Sequence, residues 1–209
     1  MNENEQRRFD LAKEKASGIR AVLHIMAPDI TEKNVIYITS ISKRFFLALE
    51  LTLLRGAVAD GGVYFIEKEF ITGVCHGALA SYINAKATEL EAMLDSRLNA
   101  ETLCDMLMDA DDDRANEILD FCEELISDDL NEFIENYARR DKKNGGNALK
   151  KICENASQIF FALAEIDGDS LITSLPHDES NDAWMESNTM EKYFKKIFTD
   201  PWKRAMEEE

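Results

Sequence analysis

The chain has 209 residues, 45% hydrophobic and 31% charged, which is enough apolar material for one sizeable core and too much for a disordered tract. Acidic residues outnumber basic ones by 41 to 24, and the formal charge of −17 argues against nucleic acid or an anionic bilayer as a direct partner. With only three prolines and nine glycines there are too few breaks for a turn-rich β fold, so long helices are expected.

The first residues, MNENEQRRFD, contain no apolar run of the kind that opens a secretory signal, and neither end matches a lipidation pattern. Phe9, Ala12, Ala16, Ile19, Leu23 and Met26 recur at steps of three and four, one stripe of an amphipathic helix that Pro28-Asp29 ends. From Thr31 to Ala59 the chain reads as mostly helix, although the β-branched NVIYITSI would also suit a strand. Its most apolar run, Phe45 to Leu54, is interrupted by Glu50 and too short to span a bilayer. A helix with so few charges after Arg44 should lie centrally.

After Asp60-Gly61-Gly62 a helix is expected from about Ile66 into the INAKATELEAMLDSRL segment, then a short one in AETLCDMLMDA. The next carries Ile118, Cys122, Leu125 and Ile126 inward. Ser127 is read as the N-cap of a separate helix with Leu130, Phe133, Ile134 and Tyr137 on its buried face. A loop at NGGN precedes a helix over Ala148–Ile166. A final helix holds Met190, Tyr193, Phe194, Ile197 and Phe198, with Pro201 as its stop. Almost nothing alternates with a period of two. The expected class is all-α: a compact multi-helix bundle, one domain over 1–209, with halves 1–98 and 113–209 that meet at Asp-Gly turns.

Cys75, Cys104, Cys122 and Cys153 form no C-x-x-C pair and each falls in an apolar helical pattern, so all four are expected as reduced, core-filling thiols of a cytoplasmic chain. His24 lies beside the stripe of its helix and reads as structural. Cys75 and His76 are neighbours that project to different helix faces, and His177 sits in an acidic loop. DADDDRANEILD, Asp109 to Asp120, places acids at the first, third and fifth positions of a calcium loop. Arg114, however, stands where such a loop turns on glycine, and a helix start enriched in acids explains the run better. No phosphate-binding glycine loop, nucleophile elbow or zinc-protease motif occurs.

The sharpest local pattern is LRGAVADGGVYFIEKEF, Leu54 to Phe70. Read structurally, Gly61 or Gly62 ends one helix through positive φ, Val63 packs under the turn, and Glu67 favours the positive start of the next helix. Read functionally, Asp60 and Glu67 are hard oxygen ligands on either side of one turn, suited to Ca2+ or Mg2+.

AVADGGVYFIEKEF resembles the Asp-Gly-x-apolar-x-x-x-Glu signature of the TerB-like (tellurite-resistance B) helical domains, with Asp60, Gly61, Val63 and Glu67 at the matching positions. The resemblance covers about fifteen residues. It implies an all-helical, non-enzymatic, stress-related module of two related halves that works through protein contacts and uses acids near its turns to bind a divalent cation. Asp167-Gly168 is similar to a second copy of the turn, with Leu171 at the apolar position and Asp167 as a third ligand; Ser174 stands where the glutamate would be. Two alternatives come from other classes: an acidic regulator or nucleic-acid mimic that binds a basic protein, and a helical hydrolase with a carboxylate-held metal.

Overall fold

A computed structural model describes residues 2–27, 35–59, 61–79, 81–83, 100–166 and 182–208. Among them every regular element is helical, in the order α1 (Glu3–Ile25), α2 (Val35–Ala59), α3 (Phe65–Cys75), α4 (Ala100–Asp109), α5 (Asp112–Lys143), α6 (Ala148–Ala164), α7 (Asp182–Phe194) and α8 (Asp200–Glu207). A π turn, Lys195–Thr199, joins the last two. The all-α compact bundle is therefore the fold. The two-halves expectation depends on Asp60 and on Asp167-Gly168, which lie outside the described residues.

Local chemistry sets the starts of α1 and α5. Asn2 caps α1 by accepting the Asn4 and Glu5 N–H groups at 2.9 and 3.0 Å. The acid run behaves as a helix start: Asp111 caps α5 through the Arg114 N–H at 2.9 Å, and Asp112 and Asp113 occupy the first turn. Ser127 does not cap a new helix. Neither Gly nor Pro occurs within 112–143, and the stripe Ile118, Cys122, Ile126, Leu130, Phe133 stays in phase, so α5 runs straight through. Ser127 instead donates its hydroxyl back to the Glu124 carbonyl at 2.8 Å.

The helix expected from Ile66 onward also departs from the simple pattern. It stops at Cys75, and His76 (φ 54°) and Gly77 (φ 57°) both turn left-handed before helix resumes at Ala78. Two side chains from elsewhere stabilise the break. Arg20 of α1 donates to the Val74 carbonyl at 3.3 Å, and Glu50 of α2 accepts the Leu79 N–H at 2.9 Å. Pro201 is likewise no stop. In the preceding π turn the Asp200 N–H already bonds the Lys195 carbonyl, five residues back, so hydrogen bonding has shifted outward where the proline ring must fit. Buried Phe198 and Trp202 anchor the rod on both sides of it.

α2 is the central helix: every residue from Phe45 to Leu54, polar ones included, is buried. It runs antiparallel to α5, since Arg44 pairs with Asp129 and Glu132 at one end while Arg55 reaches Asn116 and Asp120 at the other. It runs antiparallel to α7 too, with Phe45 edge-on to Phe194 (6.1 Å between centroids) and Gly56 against Met190. α1 lies along α6, Arg8 pairing with Glu165 and Gly18 facing Asn155. Phe160, Phe194, Phe198 and Trp202 continue the aromatic core from Phe45. Asp141, 1% exposed, accepts the Ala148 and Leu149 N–H groups at 2.8 and 3.1 Å and the Trp202 indole N–H at 3.3 Å, locking α5, α6 and α8 together.

Candidate functional site

The corner after α2 is built from its glycines outward. The Gly62 N–H bonds the Ala57 carbonyl (3.2 Å) and the Gly61 N–H the Val58 carbonyl (3.3 Å), closing the last turn of α2. Both glycines have φ above 100°, a backbone that side chains with a Cβ rarely adopt. Val63 tucks beneath the turn at 3% exposure. Glu67 is fully buried, and its Oε2 accepts the Tyr64 N–H at 2.7 Å, so the carboxylate holds the first turn of α3.

That same phase turns two aromatic rings outward. Glu67, Phe70, Ile71 and Val74 share the inward face of α3, and Phe65 falls on the opposite side, 64% exposed. Tyr64, just before the helix, is 52% exposed, and its hydroxyl lies over the Gly61 turn, 3.9 Å from where a Cβ there would stand. Two adjacent exposed aromatics on a corner fixed by its backbone are the most conspicuous surface feature among the described residues.

Of the three expected cation ligands only Glu67 falls among the described residues; Asp60 and Asp167 lie outside them, as do Ser174 and His177. Glu67 has the surroundings of a helix cap. Its Oε2 is the oxygen that takes the Tyr64 N–H. Among the described residues no group of three or more His, Cys, Asp or Glu side chains is arranged to hold a metal ion. Cys75 is buried and His76 is exposed.

Reading the sequence missed two features. Glu50, taken only as an interruption of an apolar run, is 4% exposed and caps the helix that resumes at Ala78. Burial pushes its carboxyl up to about 7 against the pull of the Leu79 and Ala78 N–H groups. Cys75, Cys104 and Cys122 also feel its charge, and burial first of all raises each thiol, Cys104 to about 11 and Cys122 to about 12. These thiols stay protonated at neutral pH and are weak nucleophiles. The second is a polar clamp: Arg55 bonds Asn116 (3.0 Å) and Asp120 and stacks on Tyr193 (5.2 Å), while Tyr193 and Lys196 both donate to Glu123 at 2.7 and 3.0 Å. It ties α2, α5, α7 and the π turn together, and the Arg-Tyr-Glu spacing across three helices left no local signature.

In comparison with known proteins, the chain matches no family model, no curated protein and no solved structure. The corner at 61–67 thus rests on its own geometry.

Proposed function

We propose that this chain is a non-enzymatic helical module that works by docking to another protein, with the corner at 61–67 as its contact point. The observation that carries the reading is the exposed pair Tyr64 and Phe65, held side by side by a glycine turn and a buried carboxylate cap. Exposed aromatics on a pre-formed backbone give large contact area with little ordering to do on binding, which is the chemistry of interface anchors. The likeness of Asp60, Gly61, Val63 and Glu67 to the TerB-like signature supports the same direction, as does a surface charge that favours basic proteins over nucleic acid.

In this reading Glu67 is a structural cap and docking needs no cation. Calcium or magnesium titration separates the two roles. If the cap alone is at work, Ca2+ and Mg2+ leave the melting temperature unchanged; saturable stabilisation lost in Asp60→Ala would restore the cation site implied by the resemblance. The docking reading itself is tested by a photo-crosslinking residue placed at position 65 of the full chain in its native host. A discrete adduct that is missing when the probe sits at Arg139, on the exposed flank of α5, supports it. Equal labelling from both positions overturns it.

A further inference from the structure

The corner does not stand alone. Lys68 of α3 is ion-paired with Asp105 of α4, which ties the two helices at that point. α3 begins where α2 ends, and α4 ends where α5 begins; Arg55 binds the opening turns of α5 from near the end of α2. The start of α3 and the end of α4 therefore share one end of the bundle. Tyr64 is one turn before Lys68, and Met108 is one turn after Asp105 on the same face. Met108 is 40% exposed, so Tyr64, Phe65 and Met108 each present apolar surface at that end of the bundle.

Charge at this end has one dominant sign. Asp109, Asp111, Asp112 and Asp113 are all exposed, Asp111 with one oxygen on the α5 cap, and Glu69 adds a further exposed acid on α3. Lys68 is held by Asp105, and Arg114 by Glu117 at 3.0 Å, so these two cations are already paired. Exposed apolar side chains among carboxylates complement a segment that presents apolar anchors and lysines or arginines together.

Resting on the docking reading above, we infer that the partner contributes a basic amphipathic segment, its apolar residues covering Tyr64, Phe65 and Met108 and its cations facing the acids at 109–113. The anchors supply affinity and the acids supply steering, so the two contributions separate experimentally.

The test uses the full chain and two synthetic peptides of about 18 residues and equal positive charge, one with leucine and lysine at amphipathic helical spacing, one with serine replacing leucine. Calorimetry should show the leucine peptide binding at least about tenfold more tightly than the serine peptide. Phe65→Ala should erase that preference, with a Phe161→Ala control, on an exposed site of α6, leaving it intact. Asp109→Asn with Asp112→Asn should flatten the salt dependence, whereas Glu154→Gln with Glu207→Gln should not. Circular dichroism melts of each variant confirm that loss of binding is not loss of fold. Equal binding of both peptides, no binding of either, or binding indifferent to Phe65 overturns the inference. If the peptides fail while the residue 65 crosslinker still captures a discrete protein, docking stands and only its basic amphipathic partner is lost; if both fail, the docking reading falls too.

Discussion

Glu50 is the residue whose environment makes the plainest quantitative demand. Its carboxyl is raised from 4.5 to about 7 by burial, so the folded state disfavours the charged form. Its stabilising contribution is complete below the unfolded value and is lost as pH rises through about 7, roughly 3 kcal/mol in all. Urea unfolding at about pH 4 and about pH 8 should show the native chain losing more stability than Glu50→Gln by that amount, because glutamine still accepts the Leu79 N–H but carries no proton to lose. Parallel pH profiles for the two proteins would contradict the assignment. The sequence could not reveal this role, because the donor lies 29 residues away and is brought there only by the left-handed break at His76-Gly77. Glu67 was legible, since an acid in a first helical turn after a glycine pair has a local cause.

At the scale of elements, the all-α class and the central place of α2 follow from apolar spacing alone. The errors, at Ser127, at Pro201 and beyond Cys75, each concern where a helix ends. A serine in a continuous stripe bonds its own backbone, a π turn absorbs a proline, and a remote arginine and glutamate stabilise a break, all outcomes decided by packing partners. Packing also limits the glycines. A Cβ on Gly56 would stand 2.5 Å from Met190 Cγ in the α2–α7 contact. Gly56→Ala should destabilise by about 1–3 kcal/mol in denaturant titration, and a Gly56→Ala/Met190→Ala double variant should lose less than the two single losses added. Strict additivity would show that the helices do not meet there. Asp141→Ala should be costlier, about 3 kcal/mol or more, since it leaves the Ala148, Leu149 and Trp202 N–H groups buried without their shared acceptor.

For the whole molecule, a charge of −17 spread over a small bundle means self-repulsion, and most of its ion pairs are too exposed to offset much of it. Raising NaCl from about 20 to about 300 mM should therefore raise the melting temperature by about 2–4 °C while weakening any basic partner. No described helix is long and apolar enough to cross a membrane. In the proposed reading the same charge that strains the fold steers a cationic segment, and the exposed apolar side chains at one end are where that segment rests. The most direct measurement is amide NMR of the full chain titrated with the leucine–lysine peptide. Shifts concentrated at Gly61–Glu69 and at 105–113 are predicted; shifts spread evenly over the acidic faces of α1, α5 and α6, with the corner unmoved, would contradict the account.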